Sequence, residues 1–542
     1  MNTLLTPSLA SIRARRGDRP AAFSAVAACF TLFALAGTAG AATSTVTSLN
    51  DSGAGSLRNA IASAGPGDTI QFQVTGTITL TSGKLAIGQN LTINGPGASQ
   101  LAVSGNQLSA VFEIASGATV SLSGMTIKNG LPDNAFGGGV FSYGTLTIAN
   151  CVVTGNVAKG GYGGGIGSYG PVTITGSTIS GNSASFGGGI AATDSLTIIN
   201  STVANNSGLG AGGIYSNGML AISGSTFTGN TATSTVPKVS RGAALFQDDG
   251  SYGSITNSTF SGNVAANNGA AIFNLSVALT TVIQNSTIAG NTGVGSSDFL
   301  GKLIFAGALL ANNVGGDCFN NSPSTSQGYN VTDDNTCGLA SSTDKQNVTP
   351  GAGLDPKGLQ NNGGPTQTIA LLSTSPALNA IPAANCTLST DQRGTSRPQG
   401  GACDAGAYEL VPSVPFASFH ANLAIATGRV PGFALTSWFT LGSGGPALQL
   451  QTQTLTLQIA NYTLTLPPGS LRPLWNAPNA PLGYDGTING THLVIGLIPL
   501  ANNTWSFDAA GTPATISATN PVPVTLTIGQ NTGATSVQAI IR

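Results

Sequence analysis

The chain contains little charge. Only 7% of its 542 residues are Asp, Glu, Lys or Arg, against about 25% in typical soluble proteins. It has two histidines, His420 and His492, and two glutamates, Glu113 and Glu409. A nucleic-acid-binding protein needs a basic surface and a disordered chain needs a high net charge, whereas this chain has a formal net charge of −1. Both classes are excluded, and no nucleic-acid partner is expected.

The first three hundred residues also lack a sustained apolar period of 3.6 residues, which excludes a helical repeat protein. A six-residue phrase ending in Gly-Asn or Asn-Asn recurs instead, and its closing asparagines are 26, 24, 24, 33 and 28 residues apart. They are Asn156, Asn182, Asn206, Asn230, Asn263 and Asn291. Short alternating runs such as Leu146-Thr-Ile148 predict strands. We therefore predict an all-β solenoid, a right-handed parallel β-helix with three short strands per turn, in which these asparagines stack as a structural ladder.

The N-terminus is typical of a secretory signal peptide. Four arginines between residues 13 and 19 precede the apolar run Ala21–Ala36, and Ala39-Gly40-Ala41 follows as a small-residue cleavage site. The apolar run, at about 16 residues, is short for a membrane anchor. We expect residues 1–41 to be removed and the mature chain to lack a transmembrane segment. The protein is then exported from a bacterial cell, to the periplasm, the cell surface or the medium.

The mature chain starts with a predicted helical cap. In residues 42–64, Ser56 is a suitable N-cap, Leu57 and Ile61 share one face, and Gly65-Pro66 ends the helix. An amphipathic helix here would cover the open first turn of the solenoid.

The cysteines fit an exported protein. Cys318 with Cys337, and Cys386 with Cys403, each bracket a short loop and predict two local disulfides. Cys151 replaces the usual Ser of a repeat phrase, and we expect a buried free thiol there.

A family resemblance follows from the motifs that flank the repeats. They are Gly55-Ser-Leu-Arg-Asn-Ala-Ile61, Ile93-Asn-Gly-Pro-Gly97, Asn361-Asn-Gly-Gly-Pro-Thr-Gln-Thr368, Ser375-Pro-Ala-Leu-Asn-Ala380, Asp391-Gln-Arg-Gly-Thr-Ser-Arg-Pro398 and Cys403-Asp-Ala-Gly-Ala-Tyr-Glu409. Over residues 45–410 the chain resembles bacterial exported right-handed parallel β-helix proteins of the pectate-lyase-like fold, and more narrowly their choice-of-anchor Q-type domain. The chain has Asn379 where that group has Asp, which weakens any cation site there.

The predicted organisation has four parts. Residues 1–41 are the signal peptide, 42–310 the β-helix with its cap, 311–410 the terminal coils with the choice-of-anchor-like region, and 411–542 a separate domain. The last part has strand-like runs separated by turn sequences, which predicts an antiparallel β-sandwich of about eight strands. We expect a monomer.

One charged cluster could carry chemistry. Lys238, Arg241, Asp248 and Asp249 lie in an insertion between two repeats. In a polysaccharide lyase, the aspartates would hold calcium against a uronate and Arg241 or Lys238 would remove a proton. Otherwise the cluster is a solvated loop, and no cofactor is required.

Three functions remain open. The first is a noncatalytic surface or extracellular protein with an adhesive, structural or glycan-binding role, for which the partner is a polysaccharide or a cell-surface glycan. The second is a polysaccharide lyase or glycoside hydrolase, motivated by the fold and the charged insertion; a fold alone does not establish activity. The third is an ice- or surface-binding solenoid, which needs a flat and regular threonine face. We favour the first.

Overall fold

The computed structural model describes residues 41–132, 136–235, 242–266, 269–276, 279–293, 302–318, 324–348, 351–442, 448–451, 453–475 and 480–542. The predicted signal peptide, apart from residue 41, lies outside these ranges. So do two of the candidate catalytic residues, Lys238 and Arg241.

The described residues between 43 and 332 form a parallel β-solenoid of about 10 turns, which confirms the predicted fold class. The strands of sheet A are Thr43–Val46, Asp68–Phe72, Leu91–Asn94, Thr119–Ser123, Thr145–Ala149, Val172–Thr175, Leu196–Ile199, Met219–Ser223, Tyr252–Thr256, Thr280–Gln284, Lys302–Ala306 and Thr325–Ser326. Those of sheet B are Gly76–Thr79, Leu101–Ser104, Thr126–Lys128, Val152–Thr154, Thr178–Ser180, Thr202–Ala204, Thr226–Thr228, Thr259–Ser261, Thr287–Ala289, Leu309–Ala311 and Val331–Thr332.

Two further sheets complete the wall of the solenoid. The strands of sheet C are Leu85–Ile87, Phe112–Ile114, Val140–Ser142, Ile166–Ser168, Ile190–Ala192, Ile214–Ser216, Leu245–Gln247 and Ile272–Asn274. Those of sheet D, which lies between sheets B and C along the chain, are Val157–Tyr162, Ser183–Phe186, Ser207–Ala211, Thr231–Ala232, Val264–Ala265 and Thr292–Gly293. The prediction of three strands per turn therefore missed sheet D, whose strands follow the ladder asparagines directly and do not alternate apolar with polar residues.

The solenoid core consists of the inward positions of these strands. Ile148 pairs in register with Ile174, which pairs with Ile198, and all three are fully buried. Phe227 and Phe260 stack on successive turns with ring centroids 4.4 Å apart. In-register parallel pairing thus places like residues on top of one another, as expected of a solenoid with a repeating sequence.

The predicted helix spans Leu57–Ser63. The Ser56 side chain accepts a hydrogen bond from the Asn59 N–H, and Leu57 and Ile61 are buried in the solenoid core. The chain is otherwise almost entirely β, and beyond these two turns of helix a helical cap is not evident in the described part of the chain.

Residues 351–410, here called the closing segment, lie against sheet B. Their elements are the hairpin Leu354–Gln360 with Thr368–Leu371, the hairpin Ile381–Pro382 with Ala402–Cys403, and the 3-10 turns Gly351–Gly353 and Ala383–Asn385. The buried amide of Gln392 donates to the hydroxyl of Thr226 and accepts from that of Thr259, on two successive turns. Disulfides join Cys318 to Cys337 and Cys386 to Cys403.

The buried charges of the closing segment form two ion pairs. Arg393 pairs with Asp391 at 2.7 Å, whereas Arg397 pairs with Glu409 at 3.0 Å, and both side chains of the second pair are fully buried. Arg397 also donates to the backbone carbonyl of Asp404.

The C-terminal residues form two sheets that pack face to face around a common apolar core. One sheet contains Val414–Pro415, Asn531–Val537, Val522–Ile528, Leu455–Ile459 and Tyr462–Leu466. The other contains Arg472–Pro473, Leu482–Ile488, Thr491–Pro499, Thr504–Thr512, Gly432–Thr440, Ser418–Ala426 and Ile540–Ile541. The predicted sandwich is present. Within the described ranges no helix has both the length and the apolar character needed to cross a membrane.

Candidate functional site

Aromatic side chains form two rows along the solenoid, one just before the strands of sheet C in the chain and the other directly after them. The first row is Phe136, Tyr162 and Phe186 on three successive turns; neighbouring ring centroids are 5.4 Å apart and the rings lie within 18° of parallel. The second row is Tyr143 and Tyr169, 5.6 Å apart at an angle of 17°. Because parallel strands in register repeat at about 4.8 Å, equivalent aromatic positions are brought into stacking range. We call the space bounded by these rows the aromatic cleft.

Between the rows lies a hollow of about 150 Å³. It is lined by Phe136, Tyr162, Gly167, Ser168, Tyr169, Ala191, Thr193 and Tyr215. Gly167 and Ala191 are paired on neighbouring strands of sheet C, and their small size leaves the floor of the hollow open. A side chain at Gly167 would place its Cβ 2.7 Å from the Gly137 nitrogen, so the close approach of the backbone requires glycine there.

The cleft is partly open to solvent. Tyr143 and Tyr169 are 46% and 45% exposed, whereas Phe141 beneath them is buried. Phe141 contacts both tyrosines, with ring centroids 4.6 and 5.9 Å away, and supports them from below. The cleft therefore presents partly exposed tyrosine side chains that rest on a buried ring.

Asp248 connects the charged insertion to this cleft. The Tyr215 hydroxyl donates to Asp248 Oδ2 at 2.5 Å, and the Asp249 backbone N–H donates to Asp248 Oδ1 at 3.0 Å. Burial, followed by the hydrogen bond to Asp248, raises the pKa of the Tyr215 phenol. Tyr215 thus stays protonated, and Asp248 fixes the direction of its hydroxyl proton.

The structure places Asp248 and Asp249 in the turn after the strand Leu245–Gln247, with Asp249 exposed. It does not test their predicted catalytic or calcium-binding roles, because Lys238 and Arg241 lie outside the described residues. No third His, Cys, Asp or Glu joins these two aspartates in a metal-binding group among the described residues.

The described ranges do contain one three-carboxylate group, which the sequence analysis missed. Oxygens of Asp317, Asp333 and Asp334 lie within 4.8 Å of one another. Protein groups already donate to them: Asn313 Nδ2 to Asp317 at 2.8 Å, the Asn312 N–H to Asp333 at 2.7 Å and the Asp317 N–H to Asp334 at 2.9 Å. Burial and the neighbouring carboxylates raise the pKa of Asp317 to about 8.

The six predicted ladder asparagines form one continuous chain of buried hydrogen bonds. Each Nδ2 group donates to the Oδ1 atom of the asparagine on the next turn at 2.9–3.0 Å. Asn313 is a seventh member, and its amide donates to Asp317. Cys151 is the expected buried free thiol, and burial raises its pKa to about 11. The six predicted asparagines and Cys151 are closed off from solvent, which fits a structural role.

The C-terminal sandwich has shallow hollows of about 460 and 710 Å³ on the outer face of its seven-stranded sheet. Ala434, Ala510 and Val494 lie side by side on that face and are common to both. The hollows are larger than that of the aromatic cleft. The three residues that they share are aliphatic, and charged residues also line them, Arg542 in the first and Arg472, Asp485 and Asp508 in the second. The cleft combines rings with hydroxyl groups and is the better candidate for a specific site.

Sequence reasoning missed the cleft although a signal exists. The segment Phe136-Gly-Gly-Gly139 recurs as Tyr162-Gly-Gly-Gly165 and Phe186-Gly-Gly-Gly189, and Ser142-Tyr-Gly144 recurs as Ser168-Tyr-Gly170. An aromatic residue at a fixed place in successive repeats predicts a stacked row. The chain itself matches no protein-family model, no curated protein and no solved structure with which it was compared.

Proposed function

We propose that the protein is an exported, noncatalytic glycan-binding protein that acts at the cell surface or outside the cell. The observation that supports this function is the aromatic cleft. A sugar ring has an apolar C–H face that packs on aromatic rings and a rim of hydroxyl groups that hydrogen-bond to tyrosine and threonine. The cleft supplies both, because Tyr162, Tyr169 and Thr193 all line it.

Export is supported by two kinds of observation. The two disulfides are compatible with an oxidising compartment, and residues 1–41 have the composition of a signal peptide. The parallel solenoid and the motifs in residues 45–410 support membership of the pectate-lyase-like β-helix proteins and of their choice-of-anchor group. That assignment is part of the proposal.

The test uses purified residues 42–542 and a panel of immobilised neutral and acidic polysaccharides. We expect one of them to retain the protein, and Tyr169→Ala to weaken retention at least tenfold because an accessible ring is lost. Tyr252→Ala is the matched control, since Tyr252 is 43% exposed but lies on sheet A. Equal loss in both variants, or no retention by any polysaccharide, would refute the proposed site.

The contact between Tyr215 and Asp248 favours a second candidate, a polysaccharide lyase acting in the same cleft. It is tested by incubating the protein with calcium and uronate polymers and following the absorbance of unsaturated products. Product formation that disappears in Asp248→Ala would replace the noncatalytic proposal with this one.

A further inference from the structure

We propose that the hollow of the aromatic cleft binds one uncharged sugar residue, at a chain end or a branch, and that Tyr215 and Asp248 select the hydroxyl group it presents. This inference rests on the proposed glycan-binding function and goes further by naming the recognised unit. Three features of the hollow carry it.

The first feature is size. The hollow has a volume of about 150 Å³. Pockets for ligands of several rings measure about 300–1,000 Å³. Phe136 and Tyr169 approach each other to 5.9 Å between ring centroids at one end, which narrows the space further. The hollow therefore accepts a single ring, and the rest of a longer glycan would extend into solvent.

The second feature is charge. The residues that line the hollow are Phe, Tyr, Gly, Ser, Ala and Thr, so none of these lining side chains carries a charge at neutral pH. A uronate placed there would lose hydration without gaining a cationic partner from this lining. Asp248, at the side of Tyr215, adds a repulsive carboxylate. The lining accordingly favours a neutral sugar over an acidic one.

The third feature is the direction of one hydroxyl group. Tyr215 lines the hollow, and its hydroxyl proton is donated in a hydrogen bond to Asp248. The Tyr215 oxygen can therefore only accept a hydrogen bond from a ligand. A ligand hydroxyl that meets Tyr215 must donate. The Asp248 side chain thereby acts as a positioning residue, because it orients a group in the site without lining the hollow itself.

The experiment measures how free sugars compete with the immobilised polysaccharide for the protein. The probes are glucose, galactose, mannose, N-acetylglucosamine and galacturonate, with short linear oligomers of each. We expect one neutral monosaccharide to compete within about threefold of its own oligomers. An affinity that rises more than tenfold with chain length, or a preference for galacturonate, would overturn the inference.

Two variants separate this inference from the broader function. Ala191→Leu should fill the floor of the hollow and abolish monosaccharide competition, whereas Ala221→Leu, at an outward position on sheet A, should not. Asp248→Ala should weaken sugar binding roughly tenfold, because a charge-assisted hydrogen bond to Tyr215 is lost. Asp248→Asn keeps an acceptor for that hydrogen bond, so it should retain most of the affinity and change the ranking of the sugars less than Asp248→Ala does. A polysaccharide that still retains Ala191→Leu at full strength would leave glycan binding intact and refute the assignment to this hollow. Failure of every polysaccharide to retain the unmodified chain would refute both.

Discussion

At the scale of single residues, the buried carboxyl group of Asp317 has a strongly raised pKa. It is fully buried beside Asp333 and Asp334, and its pKa is raised to about 8 from an ordinary value of 3.8, chiefly by burial. The folded state therefore holds a proton that the unfolded state releases between about pH 4 and pH 8. Stability must fall as the pH rises through that window, because the unfolded chain binds fewer protons there.

We predict that Asp317→Asn removes much of this pH dependence. An amide retains the neutral form, with an oxygen for Asn313 and a donor toward the neighbouring carboxylates. Urea midpoints at about pH 6 and about pH 9, in a chelator that removes divalent ions, measure the effect. The unmodified chain should lose stability at the higher pH, while the variant should change little. The exposed Asp249→Asn is the control, and a wild-type midpoint independent of pH would contradict the prediction.

The roles of individual residues could be predicted from the sequence where the residues recur in each repeat. They could not be predicted where they depend on contacts between residues far apart in the chain. The six ladder asparagines were identified because each ends the same phrase. Asn313 was missed because Ala308-Leu309 replaces the Ser-Thr that usually opens the phrase, although the ending Ala311-Asn-Asn313 is intact. The contact of Tyr215 with Asp248 spans 33 residues across the coil that contains the insertion, so no local pattern could indicate it.

At the scale of elements, the asparagine ladder links neighbouring turns of the solenoid through buried hydrogen bonds. The Asn206 amide donates to the Ile179 carbonyl and to Asn230, and its oxygen accepts from the backbone and the side chain of Asn182. We predict that Asn206→Ala destabilises the solenoid by about 3 kcal/mol or more, because buried donors and acceptors on the two adjacent turns lose their partners. Chemical denaturation measures this, with Thr197→Ala on the half-exposed face of sheet A as the control. A shift no larger than that of the control would argue against the ladder as a stabilising unit.

The closing segment should depend on Gln392 in a similar way. Its amide bridges Thr226 and Thr259 of sheet B and also donates to Thr366 within the segment. We predict that Gln392→Ala increases the rate of proteolytic cleavage within residues 351–410 at least tenfold, since the buried hydroxyl groups lose their common partner and the segment opens more often. Gln399→Ala is the control, because that side chain donates only within the segment, to Ser396. Unchanged cleavage would show that other contacts hold the segment.

Strands could be predicted from the sequence where their apolar residues recur at regular intervals. Sheets A, B and C follow from regular short strands, and the sandwich follows from alternation and turn sequences. Sheet D was missed because several of its strands are only two residues long, as in Thr231–Ala232. The position of the closing segment on sheet B depends on contacts such as Thr226 with Gln367, 141 residues apart, for which the sequence contains no signal.

At the scale of the whole molecule, the solenoid and the sandwich have separate apolar cores. Phe260 belongs to the first and Phe507 to the second, and both are fully buried. We predict two unfolding transitions in calorimetry. Phe507→Ala should lower the midpoint temperature of only one transition and Phe260→Ala that of only the other. Each substitution should reduce the free energy of unfolding of its own core by about 3–5 kcal/mol. A single transition that both variants shift equally would contradict independent cores.

The register of the solenoid also sets how such a chain can change in evolution. The intervals from Asn182 to Asn206 and from Asn206 to Asn230 are both 24 residues, and Thr178, Thr202 and Thr226 pair in register across them. Deleting residues 183–206 would join Asn182 to Ser207, which follows its own asparagine in the same way. The unit of gain or loss in the gene is therefore a whole turn, and a lineage could lengthen or shorten the solenoid while keeping the same core packing.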